Sequence, residues 1–454
     1  MRDAASAWIA RIGAPGFRQV YRFDRALRAR LTPAGWLVAT LAVVTMVFGL
    51  NTRETLVYQL FGLSAGLLAV AAAASLRLSL RMDVARNLPR VATAGVSFDY
   101  TITLRHAGDK LLDSLRLDDL LELPSADTRA FAAYKVGADR TRNFFDRLVG
   151  YPRWVAFMRQ RTGAIVDPVD LQALSPGVPH VVTMRCLPLR RGVVRFKAVR
   201  IGRVEPLGLM KALASRELAE TLVVMPRTYP VAPLSLPGSR RLQPGGVAFA
   251  GRIGDAEEFV SLRDYRAGDT PRRIHWKAWA RTGRPVVKEY QDEFFVRHAL
   301  VLDTFGDGDP ECFEAAVSLA ASLVMAPRSS ESLLDLMFVE GRAYTLTQGR
   351  GLGAASELLR VLAAISPSRD GAFASLAEAV HLGAARISGA ICVLLAWDEP
   401  RRNLVSSLRA RGVPLRVWVV AETAEALAYG PMAADPPNFR VVTPATLAAD
   451  LMRP

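Results

Sequence analysis

Two uncharged apolar blocks lie near the start of the chain, separated only by residues 51–54. The first block covers 34–50 with an apolar flank before it, and the second covers 55–76. A helix needs about 20 apolar residues to cross the hydrocarbon core of a bilayer. The pattern therefore predicts two transmembrane helices that form a tight hairpin over residues 31–78.

The arginines that flank the hairpin predict its orientation. Seven lie within residues 1–30 and four follow the second block between Arg77 and Arg90, whereas the connecting loop carries one Arg and one Glu. Positive residues are enriched in the cytoplasmic flanks of membrane helices. We therefore expect both chain ends, and the bulk of the chain, on the cytoplasmic side.

The basic arm 1–30 has two open interpretations. Val20, Phe23, Leu27 and Leu31 recur at helical spacing among the arginines, which favours a basic helix on the anionic leaflet of the lipid bilayer. A disordered basic tail would have the same composition, so both interpretations stay open.

Residues 79–230 carry the patterns of β-strands. The segments 97–106 and 193–202 alternate polar and apolar residues with period two, which predicts a β-sandwich-like domain built from short strands. The stretch at about 125–175 is aromatic, basic and helical in its spacing, so we interpret it as an insertion, either near the membrane or as a plain surface helix. Residues 231–256 are rich in Pro, Gly and Ser and form a predicted linker.

From residue 299 to residue 454, apolar strands alternate with amphipathic helices. Short apolar runs such as 299–304 and 389–397 have the pattern of buried strands, and a polar helix follows the second of them and ends on Gly412. Strands that are joined through helices lie parallel and need cover on both faces. The alternation therefore predicts an α/β domain with a doubly covered parallel sheet.

Length and charge narrow the class of protein. The chain has 454 residues and a net charge of +15, and its length leaves room for two folded units beyond the apolar hairpin. The basic residues outside the arm are interleaved with acids, which argues against nucleic acid as a partner. The three cysteines Cys186, Cys312 and Cys392 are far apart in the sequence and are predicted to be reduced, buried thiols.

A distinctive polar and aromatic segment, 257–298, lies between the linker and the α/β domain. It contains the run EFVSLRDYRAGDTPRRIHWKAWARTGRPVVKEYQDE, and the β-rich region contains LRRGVVRF at 189–196 and EPLGLM at 205–210. Together these runs resemble the bacterial membrane-protein family called domain of unknown function 58. The residues that match its signature are Glu258, Phe259, Leu262, Arg263, Tyr265, Gly268, Asp269, Arg273, Ile274, His275, Trp276, Ala280, Arg281 and Glu289.

The resemblance implies a fold, a location and a partner. The C-terminal region would have a von Willebrand factor type A-like, Rossmann-type α/β fold. The protein would be a multi-pass protein of the inner membrane, with the lipid bilayer and a MoxR-type AAA+ ATPase as its partners. The family has no established reaction, so the resemblance predicts a class of partner and not a chemical activity.

The signature segment supports two interpretations of its charged and aromatic side chains. Arg pairs bidentately with carboxylates and stacks on aromatic rings, so these side chains could form an internal polar network or a docking surface for a partner. The candidate residues are Arg263, Tyr265, Asp269, Arg273, His275, Trp276 and Arg281. No second His or Cys lies at ligand spacing from His275, which favours a hydrogen-bonded structural role for that residue.

A degenerate metal motif follows the first predicted strand of the α/β domain. The resemblance implies a D-x-S-x-S motif that binds a divalent ion with help from a later acid. Here Asp303 keeps the first position, Phe305 and Asp307 replace the two serines, and Asp398 is the later acid. Carboxylates suit Mg²⁺ or Ca²⁺, but the lost hydroxyls leave few ligands. In the alternative, which needs no cofactor, the acids cap the following helices.

Three hypotheses about function remain. The favoured one is a non-enzymatic, membrane-anchored adaptor or scaffold that acts with a MoxR-type AAA+ ATPase in envelope-related remodelling, because no catalytic constellation is complete. The second is a membrane-surface hydrolase that uses Asp303, Asp398 and His275. The third is a purely structural membrane protein without a nucleotide-dependent partner.

Overall fold

A computed structural model gives the fold of the protein, and the chain divides into two compact units, Met1–Pro226 and Arg227–Pro454. The structure describes residues 2–48, 55–77, 82–109, 111–124, 131, 134, 151–232, 258–269, 271, 274–291, 296–306, 309–326, 332–348, 352–368, 372–423 and 427–453. Most of the predicted linker and the first half of the predicted insertion lie outside these ranges.

The N-terminal unit combines long helices with short strands. Its helices are α1 (Arg2–Arg30), α2 (Pro33–Phe48), α3 (Thr55–Arg77) and α4 (Tyr151–Thr162). Its strands are β1 (Met82–Asn87), β2 (Val91–Thr93), β3 (Phe98–His106), β4 (Leu115–Leu121), β5 (Ala164–Val166), β6 (Val169–Leu171), β7 (Pro179–Pro188), β8 (Gly192–Val204) and β9 (Lys211–Met225).

The apolar blocks form α2 and α3, which pack against each other. Among the described residues, one helix is long and apolar enough to cross a membrane, over Leu56–Leu76 of α3. Helix α2 is apolar but has only 16 residues, and the predicted turn at 51–54 lies outside the described residues. The structure therefore gives one candidate span where the sequence predicts two.

The loop between β8 and β9 holds the start of α2. The backbone N–H of Thr32 donates to the carbonyl of Leu209 at 3.0 Å, and a Cβ on Gly35 would lie 2.0 Å from the same oxygen. The buried carboxylate of Glu205 accepts the N–H groups of Leu209 at 2.7 Å and Met210 at 3.1 Å. This loop is the EPLGLM run, and it fixes where the apolar helix leaves the β-rich body.

The basic arm forms helix α1, which confirms its interpretation as a helix. The position of this helix on a lipid leaflet stays a prediction. Phe17 of α1 packs on Trp154 of α4 with the ring centroids 6.3 Å apart. Trp154 also meets Phe131 edge to face at 5.0 Å. The aromatic residues of the predicted insertion therefore pack against the arm helix, in a small core separate from the β-strands.

Two sheets pack face to face around one core in the N-terminal unit. Their strand orders are β1-β3-β7-β5 and β2-β9-β8-β4-β6, and β2–β9 is the parallel pair among otherwise antiparallel neighbours. Alternate residues of β3 and β4 are buried, because successive side chains of a strand point to opposite faces. This arrangement is the sandwich-like fold that the period-two alternation predicts.

An ion pair crosses this sandwich core between β1 and β4. Arg86 donates from Nε and Nη2 to the carboxylate of Asp119 at 2.9 and 2.6 Å, and neither side chain is exposed. The hydroxyl of Tyr100 donates to the same carboxylate at 2.6 Å, and Arg86 lies 4.9 Å from the ring centre of Phe196. The pair therefore joins the two sheets at the centre of the core.

The C-terminal unit begins with a two-stranded sheet and continues as a helix-covered sheet. Its strands are β10 (Glu258–Asp264), β11 (Val286–Gln291), β12 (Val296–Leu302), β13 (Ser332–Glu340), β14 (Arg342–Gln348), β15 (Gly389–Leu394), β16 (Leu415–Val420) and β17 (Phe439–Val442). Its helices are α5 (Trp276–Thr282), α6 (Pro310–Met325), α7 (Leu352–Ala364), α8 (Ala374–Gly383), α9 (Glu399–Ala410) and α10 (Leu447–Leu451).

The larger sheet has the strand order β14-β13-β12-β15-β16-β17. Strand β14 is antiparallel to β13, and the other neighbours are parallel. Helices α6, α7 and α10 share one core with one face of this sheet, and α8 and α9 share a second core with the other face. The mixed α/β fold predicted from the alternation is confirmed.

All three cysteines are free and buried, as predicted. Burial raises the pKa of the thiols of Cys186 and Cys392 to about 12. A thiol with so high a pKa carries little thiolate at neutral pH, and the thiolate is the reactive form. Cys186 and Cys392 are therefore packing residues, each in the core of its own unit.

Candidate interaction site

The signature segment folds as an antiparallel hairpin, β10 with β11, that carries the short helix α5 between its strands. We call residues 258–291 the signature hairpin. The two strands pair from Asp264 opposite Val286 outward, with a register shift between Phe259 and Ser261. Gly268 has a positive φ of 109° in the turn of this hairpin, a conformation that glycine adopts at little steric cost.

The turn of the signature hairpin is braced by an Arg–Asp pair. Arg263 donates to both carboxylate oxygens of Asp269 at 2.8 and 2.7 Å, and the backbone N–H of Arg266 donates to the same carboxylate at 2.9 Å. The Arg263 guanidinium and the Arg266 N–H hold the pKa of Asp269 at about 2, below its ordinary value. Asp269 is therefore ionised at neutral pH and fixes the loop locally.

His275 begins helix α5. The ring Nδ1 of His275 accepts the backbone N–H of Ala278 at 2.9 Å. The backbone N–H of His275 donates to the carbonyl of Val286 at 2.8 Å. The bond to Nδ1 leaves the ring proton of neutral His275 on Nε2. The geometry is that of a helix N-cap, and Gly283 ends the same helix in the left-handed conformation at φ 68°.

Large side chains of the signature hairpin face solvent. Trp276 is 63% exposed and stacks on Trp279, with ring centroids 5.3 Å apart and 19° between the ring planes. Leu262, Tyr265 and Arg281 are also exposed. We call the side chains of Leu262, Tyr265, Trp276, Trp279 and Arg281 the signature surface. Arg273, which the sequence also predicts for this site, lies outside the described residues.

The predicted metal acids lie around an arginine. Asp303, at the end of β12, is fully buried and meets Nε of Arg401 at 2.6 Å. Nη1 of Arg401 meets Asp398 at 2.6 Å. The structure thus brings two of the three predicted acids against the same guanidinium, and Asp307 lies outside the described residues.

The remaining contacts of this cluster leave little room for another cation. The carboxylate of Asp303 accepts the N–H groups of Phe305 at 2.9 Å and Leu395 at 3.0 Å. Arg401 also donates to the carbonyl of Phe305 and lies 4.7 Å from the ring centre of Phe373. Burial raises the pKa of Asp303 above its ordinary value, although Arg401 opposes that shift.

These contacts test whether the residues fit a divalent ion. A guanidinium already lies between the two carboxylates where an ion would need oxygen ligands, and Asp398 caps helix α9 through the N–H of Arg401 at 3.3 Å. In the described part of the chain, no three His, Cys, Asp or Glu side chains are grouped as a metal site. The described residues therefore do not fit Mg²⁺ or Ca²⁺.

Sequence reasoning did not identify Arg401. It lies three positions after Asp398, in the first turn of a helix that begins at a strand end, where the sequence Asp-Glu-Pro-Arg-Arg offers the acid as the candidate ligand. An arginine at that spacing can return to its own capping acid. Its bond to Asp303, 98 positions away in the chain, depends on the sheet order and has no local signal.

The described features define a class: a mixed α/β protein with apolar N-terminal helices, a β-sandwich-like unit and an α/β unit that contains an exposed signature hairpin. Residues 261–429 match the model of the family described as "Protein of unknown function DUF58". The resemblance predicted from the signature is thereby confirmed over this segment.

A curated relative gives a similar match. The chain is 31% identical over 136 residues to "Uncharacterized protein YeaD" of Bacillus subtilis (strain 168), which covers 30% of this chain and 33% of that protein. The chain thus spans about a third of the length of this relative. The name of this relative assigns no activity, so it adds none to this chain.

Solved structures resemble about a third of the chain. "Conserved hypothetical protein BatB" from Bacteroides thetaiotaomicron is 15% identical, with 34% of this chain and 95% of that chain covered and a TM-score of 0.25. An "aerotolerance-related membrane protein" from Bacteroides fragilis NCTC 9343 is 13% identical, with 34% and 94% covered and a TM-score of 0.25. At these TM-scores neither likeness supports an argument about function.

Proposed function

We propose that this protein is a non-enzymatic, membrane-anchored adaptor or scaffold that acts with a MoxR-type AAA+ ATPase in envelope-related remodelling. The observation that carries the proposal is the signature surface. A hairpin braced by Arg263 and Asp269 holds large side chains exposed to solvent, namely Leu262, Tyr265, Trp276 and Arg281. Aromatic and arginine side chains are the residues that dominate binding energy at protein interfaces.

The α/β unit supports binding over catalysis. Its strand order, numbered along the chain from β12, is 3-2-1-4-5-6, which is a common order of doubly wound sheets and agrees with a von Willebrand factor type A-like domain. Asp303, the acid that a hydrolase would use, is fully buried and paired with Arg401. His275 is engaged as a helix cap, so neither residue is poised as a general base.

The anchor part of the proposal rests on the apolar helices. In it, α3 and the extended first block cross the inner membrane as a hairpin, and both termini lie in the cytoplasm because the arginines concentrate outside the loop. Reporter fusions at Met1 and Pro454 should both give cytoplasmic signals. A periplasmic signal from either fusion would overturn this topology.

Capture from membranes tests the partner. The full chain, isolated in mild detergent with and without ATP, should retain a MoxR-type AAA+ ATPase that is identified by mass spectrometry. Trp276→Ala should weaken capture by about tenfold or more, since buried interface anchors are worth about 2 kcal/mol or more. Leu382→Ala, which removes a side chain that is 80% exposed on α8, is the matched control and should leave capture unchanged.

Two results would overturn the proposal. One is the absence of any ATPase from captures of the wild-type chain under both nucleotide conditions, as a purely structural protein predicts. The other is equal capture by the wild type and Trp276→Ala when both are folded by circular dichroism. That second result would remove the observation that carries the proposal, because the signature surface would not be the binding surface.

A further inference from the structure

A cavity of about 810 Å³ lies within the N-terminal unit, between α1, the first turn of α2 and strands β4, β8 and β9. Trp36 lines it from α2. Five cationic side chains also line it: Arg25, Arg28, Arg116, Arg200 and Lys211. The strands and the arm thus contribute cations to one space beside the apolar helix.

The carboxylates of the cavity do not balance these cations. Asp24 and Asp118 are the acids of its lining. Asp24 pairs with Arg28 at 2.8 Å, and Asp118 pairs with Arg200 at 2.7 Å. The cations thus outnumber the acids, and an anion inside the cavity would be stabilised by the excess positive charge.

Two of the cations are not held in an ion pair within the described ranges. Within the ranges that the structure describes, neither Arg25 nor Lys211 forms an ion pair. Burial lowers the pKa of Lys211 and the positive charge of Arg116 acts in the same direction, whereas Asp118 and Asp170 oppose this shift. The net shift disfavours the protonated amine, and a bound anion would oppose it.

The position of the cavity beside the first turn of α2 points to the bilayer surface. Thr32 is bonded to the loop after β8, so the first turn of α2 is fixed against the sandwich. Trp36 lies one turn further along the apolar helix, and tryptophan is enriched where membrane helices meet the headgroup layer. Basic pockets beside membrane helices on the cytoplasmic side bind anionic headgroups.

We infer that this cavity binds the phosphate of an anionic phospholipid headgroup, with Lys211 and Arg25 as its unpaired phosphate ligands. The inference rests on the proposed membrane anchor. It assigns the arm a role beyond a general attraction to the leaflet, because α1 closes one side of a shaped site whose other side is built from strands.

The test uses the full chain in lipid nanodiscs of two compositions, phosphatidylcholine alone and phosphatidylcholine with phosphatidylglycerol. Native mass spectrometry measures how many anionic lipids stay bound. Lys211→Gln should weaken retention by about fivefold, since a basic residue near an anionic lipid surface is worth about 1 kcal/mol. Arg25→Gln should have a similar effect, and the double variant about 25-fold if the two contributions are additive.

Matched controls separate the site from general electrostatics. Lys197→Gln on β8 and Arg22→Gln on α1 remove exposed cations that do not line the cavity, and both should leave retention unchanged. If the controls weaken retention as much as the cavity variants do, the attraction is diffuse and the inference is overturned. Loss of retention in Lys211→Gln alone among the lysine variants supports it.

Further arms of the experiment distinguish a lipid phosphate from a free phosphate as the ligand. They also distinguish failure of the inference from failure of the proposed membrane anchor. Inorganic phosphate and glycerol 3-phosphate, added to the chain in phosphatidylcholine nanodiscs, should bind to the protein only weakly. Tight binding of either of them, without retention of phosphatidylglycerol, overturns the inference that the ligand is a lipid. A chain that does not insert into nanodiscs overturns the anchor and the inference together. Normal insertion with no preference for phosphatidylglycerol overturns the inference alone.

Discussion

Two Arg–Asp pairs of this protein share their geometry and differ in their surroundings. Arg86 and Asp119 in the sandwich core bond at 2.9 and 2.6 Å with no side-chain exposure, and Arg263 and Asp269 in the signature hairpin bond at 2.8 and 2.7 Å with 34% and 18% exposure. The core pair joins two sheets, whereas the hairpin pair closes one turn.

The difference in burial gives the two pairs different roles: the core pair stabilises the fold, and the hairpin pair orients a loop at the surface. In the core, water cannot replace a lost partner, so each member of the pair depends on the other. In the hairpin, water can solvate either side chain, so the pair contributes little to the free energy of unfolding and its effect is to orient a loop. The cluster of Asp303, Arg401 and Asp398 contains both situations, because one of its acids is buried and the other is half exposed.

The largest effect is expected from Asp119→Ala. The substitution leaves Arg86 without its carboxylate and Tyr100 without its acceptor inside the core, and removing one partner of a buried ion pair costs about 3–5 kcal/mol. Hydrogen exchange of β1 and β4, measured on the full chain in detergent micelles, should show this loss. Asp99→Ala breaks the exposed pair with Arg185 and is the control. If Asp119→Ala and Asp99→Ala lose equal amounts of protection from exchange, burial does not distinguish the core pair from an exposed pair.

Asp303→Ala should have the next largest effect, about 3 kcal/mol, at the lower end of the range for a buried pair. Arg401 keeps its bond to Asp398, while the N–H groups of Phe305 and Leu395 lose their acceptor. Hydrogen exchange of β12 and β15 measures the loss. Stabilisation of the wild type by Mg²⁺ or Ca²⁺ that Asp303→Ala abolishes would contradict the conclusion that these residues do not fit a metal.

Asp398→Ala should cost about 1 kcal/mol, the value of a helix N-cap with a partly exposed ion pair. Its bond to Arg401 is as short as that of Asp303, but its side chain is 45% exposed. Thermal unfolding of the C-terminal unit measures the difference. Asp309→Ala removes the cap of α6, which forms no such pair with the residues that the structure describes, and should cost about the same. If Asp398→Ala costs as much as Asp303→Ala, the length of the bond to Arg401 and not the burial of the acid determines the loss of stability.

Asp269→Asn should have the smallest effect at neutral pH. The pKa of Asp269 is about 2 in the folded protein against an ordinary value of 3.8, so folding favours its ionised form. The stabilisation is fully present above about pH 4 and is lost as the pH falls through about 2. The difference in Tm between wild type and variant should therefore be constant at higher pH and vanish near pH 2.

The neighbouring carboxylate supplies the control for this substitution. Asp264→Asn changes an exposed acid of the same hairpin and should leave the Tm at neutral pH unchanged. A large loss of stability in Asp269→Asn at pH 7 would mean that the hairpin pair is as structural as the pair in the core. The distinction between the two regions would then fall.

Local patterns predicted many of the elements and part of the site. The strands at 97–106 and 193–202 follow from period-two alternation, and both appear at those positions. His275 was predicted to be structural because no partner ligand was near, and the structure makes it a helix cap. The aromatic residues of the signature were visible in the sequence, but the exposure of Trp276 was not.

The sequence by itself determined the apolar blocks, the alternation of strands and helices and the family resemblance, because each depends on residues close together in the chain. Tertiary structure alone decided which charges meet. Arg86 reaches Asp119 across 33 positions and Arg401 reaches Asp303 across 98, and Lys211 enters the same cavity as Arg25. Burial and pairing are properties of surroundings that distant segments build together, so no local pattern contains them.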